Sequence, residues 1–176
     1  MGVAFGPIGG DAAPPPWRCD LLPHVFTEEE WQLIARGVAQ RMEAFERFLR
    51  DIYGDRKLLR HGVIPIGAAL DSPHFLPEAA RLRPPGDPFL HASGLCIVRD
   101  ADGRLLVRHH HLGRASGISF MMQNRRALAR IAPELFRFHP VESLAETPLA
   151  LVEILRAVCP DQHEPLLVLL SPGPLS

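Results

Sequence analysis

Residues 94–117 read GLCIVRDADGRLLVRHHHLGRASG, and a hairpin there constrains the fold more than any other feature of the chain. Ile97 and Val98 precede an Asp-Gly pair, and Leu105, Leu106 and Val107 follow it. Asp102-Gly103 is expected to supply the positive φ angles of a tight hairpin turn. Little else reads as strand, so the helices must pack around this hairpin. The second strand runs into His109, His110 and His111, and a Ser116-Gly117 loop follows. A polar cluster at a strand end, beside a glycine-bearing loop, is a place for chemistry rather than packing.

The strongest helix signal lies upstream. Thr27-Glu28-Glu29-Glu30 has the form of a capping box, with Thr27 as N-cap and Glu30 as its partner. Trp31, Ile34, Val38, Phe45, Phe48, Leu49 and Ile52 then recur at three and four residues, which predicts one apolar stripe on a long helix. Gly54 is its expected stop. A short helical turn is expected over 55–61. Residues 65–88 hold many prolines and read as ordered but irregular chain, and Phe89–Ala92 as a strand lead-in. After Gly117, ISFMMQNRRALARIAPELF reads as a helix. Thr147-Pro148 opens another, with Thr147 as cap and Leu149, Val152, Leu155 and Val158 as its stripe. The run from Pro165 to Ser171 reads as a buried strand. Such a strand needs neighbours that this sequence hardly provides, which suggests truncation or a required partner. Residues 1–16, rich in Gly, Ala and Pro, are expected to be a disordered tail, leaving residues 17–176 as one partial domain. The fold class is α+β (or α/β), with a long N-terminal helix and a central antiparallel hairpin flanked by helices.

At 176 residues and 47% hydrophobic content the chain is globular in character. A net charge of −1 offers no field for nucleic acid or an anionic membrane. Cys19, Cys96 and Cys159 are odd in number and widely spaced, which favours a reducing, cytoplasmic setting over a disulfide framework. No stretch approaches the roughly 18–20 apolar residues of a membrane span.

Several segments together resemble the N-terminal part of the circularly permuted ATP-grasp family of bacterial proteins. They are EEWQLIARGVAQRMEAFERFLRDIYGDRKLL, the GVIP turn, Ser72-Pro73-His74-Phe75-Leu76-Pro77-Glu78, the LRPPG segment and the LHASGLCIVRDADGR hairpin. Ser116-Gly117-Ile118-Ser119-Phe120, Gln123-Asn124-Arg125, PELF and the closing LLSPGP continue the likeness, which spans about residues 17–174. The resemblance implies a parent activity of ATP-dependent carboxylate–amine ligation in peptide-like products, with magnesium-bound ATP as cofactor. It implies metal ligands from an Asp on the first hairpin strand and a Glu-Asp-Asn run ending the second. Aligned on Ser116-Gly117, those positions fall on Cys96 and on His109, His110 and His111. The family's Arg after the run falls on Gly113, and its Pro before Ser116 on Ala115. The glycine-rich and lysine-bearing nucleotide-binding parts of the family lie beyond residue 176. The chain is therefore expected to be inactive alone, to carry no identified catalytic residue, and to need a C-terminal half or second polypeptide to complete the fold.

Three readings of these residues stay open. Cys96, His109 and His111 form a set suited to zinc or another transition metal, since His109 and His111 share a strand face and Cys96 is expected roughly opposite His109. They can equally be solvent-facing side chains of a degenerate site in a non-catalytic binding or scaffold domain. Ser116 and Gly117 at a helix start, with Arg114 and Arg125, are the candidate phosphate-binding group for the nucleotide.

Overall fold

The structure, a computed structural model, describes residue 20 and residues 22–84, 87–113, 117–159 and 161–168. The expected tail over 1–16 lies outside them. The described residues are α+β and form two compact units. The first holds helices α1 (Glu28–Ile52), α2 (Lys57–Arg60) and α3 (Ile66–Leu70), a 3-10 turn at Pro77–Ala79, and the antiparallel strands β1 (Gly94–Arg99) and β2 (Leu105–His111). The second carries α4 (Ile118–Ile131), α5 (Pro133–Phe138) and α6 (Thr147–Ala157).

Helix α1 starts as its sequence dictates. The Thr27 hydroxyl accepts from the Glu30 N–H at 3.2 Å, and the Glu30 carboxylate accepts from the Thr27 N–H at 3.1 Å. Two otherwise orphaned donors are thus satisfied, and three acidic residues sit at the positive end of the helix. The apolar stripe runs through Ile34, Val38, Met42, Phe45 and Leu49 to Ile52, which is buried. Trp31, expected on the stripe, is instead exposed. Past the helix end, the Asp51 carboxylate accepts the N–H groups of Lys57 and Leu58 at 2.8 and 2.9 Å. It thereby caps α2, whose preceding residue Arg56 has a left-handed backbone and no capping side chain.

The chain then doubles back along α1. Arg81 N–H donates to the Tyr53 carbonyl, Asp87 pairs with Arg50, the N–H groups of Phe89 and Leu90 donate to Glu46, and Arg99 pairs with Glu30. Residues 81–84 and 87–99 thus track the helix from its C-terminus to its N-terminus. The expected strand lead-in over 89–92 is absent, and the amides of Phe89 and Leu90 are taken by Glu46 rather than by a neighbouring strand. The stretch 65–88 holds more regular structure than its prolines suggest, namely α3 and the 3-10 turn. Tyr53 holds the chain just before the 3-10 turn, its hydroxyl accepting from Leu76 N–H and its ring stacking on Phe75 at 5.2 Å.

In the second unit the expected single helix is two. Pro133 has no N–H and its ring disfavours helical geometry at the residue before it, so Ala132 turns to φ −131°, ψ 64° and α5 starts afresh. Helix α6 takes its first bond at the Glu146 carbonyl, which makes Thr147 the first helical residue rather than the cap. Leu149 and Leu155 of its expected stripe are exposed. Residues 165–168 of the expected terminal strand are not in a strand, and 169–176 lie outside the described residues. An apolar β-prone run forms no ladder without a partner.

Candidate functional site

The hairpin is closed by a three-residue loop rather than the expected two-residue one. Asp100 N–H donates to the Arg104 carbonyl at 3.0 Å, and Gly103 N–H to the Asp100 carbonyl at 3.0 Å. Gly103 has φ +82°, whereas Asp102 stays at negative φ, so this is a type I turn followed by a left-handed glycine. The Asp100 carboxylate accepts from the N–H groups of Asp102 and Arg104 and from Arg104 Nε. These donors, the Arg104 amide foremost, hold it below the usual carboxylate range.

An odd loop shifts the strand register by one residue, and a β-bulge corrects it. Arg99 faces Leu105, Val98 faces Leu106 and Ile97 faces Val107. Between Cys96 and Ile97 the register slips, leaving Arg108 unpaired. Cys96 then faces His109, Leu95 faces His110 and Gly94 faces His111. The expected Cys96–His109 pairing is present, reached through two shifts that cancel.

The bulge also decides which histidine faces which way. His110 shares the face of Leu95, Ile97 and Val107 and is half-buried against α1. Its ring meets Phe45 edge-on at 5.0 Å, and its Nε2 lies 3.3 Å from an Arg41 guanidinium nitrogen. Arginine can only donate, so Nε2 accepts and the ring proton of a neutral His110 sits on Nδ1. Cys96, His109 and His111 lie together on the opposite, exposed face, with the two imidazole centroids 4.4 Å apart. Among the described residues no three His, Cys, Asp or Glu side chains are arranged to hold a metal ion. The Cys96, His109 and His111 set therefore shares a face without being gathered into a coordination sphere. Nor do these donors fit magnesium, which requires hard oxygen ligands.

The register has a direct check. In a variant with Cys19 and Cys159 replaced by serine, His109→Cys is expected to form a disulfide with Cys96 under mild oxidation. Arg108→Cys, at the bulge, is expected to remain reduced. Thiol titration with mass mapping reads the difference, and equal cross-linking by both would mean that the bulge is misplaced.

The candidate phosphate group is only partly visible. Arg114 and Ser116 lie outside the described residues. Gly117 caps α4 with φ +103°, a conformation that favours glycine. Arg125, on the same helix, donates to the Glu142 carbonyl at 2.9 Å and lies over the Phe136 ring. Its guanidinium is thus engaged in holding the 142 loop to α4. Sequence reasoning missed Arg41 and Phe45, the partners of His110. Both lie on the stripe side of α1, and the bulge brings His110 to them where strict alternation from Val107 would bring His109.

Comparison with known proteins gives a consistent result. The family described as circularly permuted ATP-grasp type 2 matches residues 23–176. An uncharacterized protein of Mycobacterium leprae is 36% identical over 174 residues, covering 98% of this chain and 30% of that protein. An uncharacterized protein of Synechocystis is 32% identical, with 88% and 32% covered. A Frankia alni protein carrying the name "Putative glutamate--cysteine ligase 2-3" is 31% identical, with 98% and 20% covered. The chain spans about a third or less of the length of these curated relatives.

Proposed function

The chain belongs to the circularly permuted ATP-grasp type 2 family, and from that premise we propose that it is the N-terminal portion of an ATP-dependent carboxylate–amine ligase scaffold, inactive alone. Peptide-like ligation is the parent chemistry, and the Frankia relative's name points to the same class of reaction. The observation that carries inactivity is the outer face of the hairpin. Where the family is expected to present carboxylates, this chain presents Cys96, His109 and His111, with His110 turned into α1. The remainder of the fold, in the same chain or in a second polypeptide, supplies the nucleotide-binding parts on this reading. Its support is the exposed apolar surface: among the described residues only Ile52 and Leu59 are buried hydrophobics, while Leu33, Ile131, Phe138 and Leu149 are largely exposed. A reducing cytoplasmic location agrees with Cys96 and Cys159 being free, exposed thiols. Among the described residues no helix is long and apolar enough to cross a membrane.

Calorimetric titration with ATP and magnesium tests the proposal on this chain and on a longer chain continuing through the downstream reading frame. No magnesium-dependent binding is expected from this chain alone. Binding is expected from the longer one, and the fourfold change Cys96→Asp, His109→Glu, His110→Asp and His111→Asn is expected to make that binding magnesium-dependent. Tight magnesium-dependent binding by the 176-residue chain alone would overturn the reading. A folded longer chain that binds nothing, before and after the fourfold change, would instead favour a non-catalytic scaffold.

A further inference from the structure

The strongest unassigned feature lies away from the hairpin's histidines, at the C-terminal end of α1. A cleft of about 850 Å³ opens there among the end of α1, α2 and the returning residues 81–84, Asp87 and Phe89. That volume falls within the range of small-molecule sites, roughly 300–1,000 Å³. Six cationic side chains line it: Arg47, Arg50, Lys57, Arg60, Arg81 and Arg83. Three acidic ones, Asp51, Asp55 and Asp87, oppose them. In a chain whose net charge is −1, such a local excess of positive charge is not a reflection of composition.

The internal pairings do not absorb that excess. Asp51 spends its carboxylate on the backbone N–H groups of α2. Asp55 pairs with Lys57 at 3.3 Å, and Asp87 with Arg50 at 2.9 Å. Arg47 pairs with Glu43. Arg60, Arg81 and Arg83 form no salt bridge with any described carboxylate, although Asp87 feels the charge of Arg83. Clustered guanidinium groups repel one another, and they are also the groups best shaped for bidentate bonding to phosphate or carboxylate. The structure already contains one such bond: Arg50 holds both oxygens of Asp87, at 2.9 and 3.3 Å. Both Arg81 and Asp87 adopt left-handed backbone, φ 67° and 78°, without being glycine.

We propose that this cleft binds a compact polyanion, a small molecule carrying two or more phosphate or carboxylate groups, with Arg60, Arg81 and Arg83 as its principal partners and Asp87 as a built-in counter-anion on Arg50. The proposal does not rest on the ligase reading. The cleft lies wholly within the first unit and needs none of the hairpin residues. Phosphate and carboxylate sources share the same recognition chemistry, so the test must separate them.

The test is calorimetric titration of the full 176-residue chain with inorganic pyrophosphate and, separately, with citrate, at low and at moderate salt. One saturable site is expected, weakening as salt rises. The double variant Arg60→Gln with Arg83→Gln is expected to lose at least tenfold in affinity. Arg81→Asn, which retains a residue tolerant of left-handed backbone, should show a loss in the same direction. Asp87→Asn should tighten binding several-fold by removing the internal competitor, a gain that misfolding cannot imitate. Arg108→Gln removes the same charge on the hairpin and should change nothing. Preference for pyrophosphate identifies a phosphate ligand and preference for citrate a polycarboxylate. Absence of saturable binding by either probe, or an equal loss in Arg108→Gln, would overturn the proposal.

Discussion

Replacing Ile52 by alanine is expected to cost about 2–5 kcal/mol of folding stability, the range for truncating a buried branched side chain. Ile52 is 3% exposed and Leu59 is 6% exposed, and no other hydrophobic residue among those described is buried. Stability of an ordinary domain is only about 5–15 kcal/mol, so this one truncation removes a large share of it. Ile52 ends the apolar stripe of α1 just before the chain folds back, so loss of its side chain also loosens α2. Urea denaturation followed by far-ultraviolet circular dichroism gives the number. Leu33→Ala, on the same helix but 57% exposed, should shift stability by no more than about 0.5 kcal/mol. Equal effects at the two positions would mean that the first unit is organised around something other than the end of α1.

The elements that could be read from sequence are those whose causes are local. The α1 capping box needs only Thr27 and Glu30, and its stripe only the helical period. The hairpin needs two β-rich runs and a glycine able to take positive φ. The α4–α5 break was missed although its cause is local: the apolar period runs on past Ala132, but Pro133 carries its own prohibition on continuing a helix. Helix α3 and the 3-10 turn were not legible. They are too short to announce themselves by period, and the 3-10 turn follows a segment held by Tyr53, more than 20 residues away, which gives Leu76 an acceptor and Phe75 a ring to stack on. The run at 165–168 shows the reverse case. Its β propensity is genuine, but strand is a property of a pair, and the described residues give it no partner.

The candidate site divides along the same line. That Cys96 faces His109, and that His109 and His111 share its side, follows from alternation once the register is known. The register itself came from a loop one residue longer than the Asp-Gly pair suggests and a bulge at Arg108 that compensates for it. No local rule announces that compensation. The basic cleft was invisible for a different reason. Its arginines are scattered from Arg47 to Arg83 without any motif spacing, and only the return of the chain along α1 brings them together.

Glu46→Ala is expected to undo that return, at a cost of about 2–3 kcal/mol. The Glu46 carboxylate accepts from Phe89 N–H at 2.9 Å, from Leu90 N–H at 3.1 Å and from Arg50 at 3.1 Å. Its side chain is only 20% exposed, so water cannot freely replace it. A part-buried N–H stripped of its acceptor costs about 1–3 kcal/mol, and two are stripped here. Glu46→Gln keeps one acceptor oxygen and should cost about 1 kcal/mol. Arg50→Ala removes the ion pair with Glu46, and the one with Asp87, while leaving both amides bonded to Glu46. If pairing with Arg50 were the main role, Glu46→Ala, Glu46→Gln and Arg50→Ala would cost alike. If the amides are the main role, only Glu46→Ala should release hydrogen-exchange protection at Phe89 and Leu90. Because Phe89 also lines the basic cleft, the same substitution should weaken pyrophosphate binding without removing a single cationic group. That loss would tie the cleft to the fold through one carboxylate, since nothing in Glu46 itself attracts an anion.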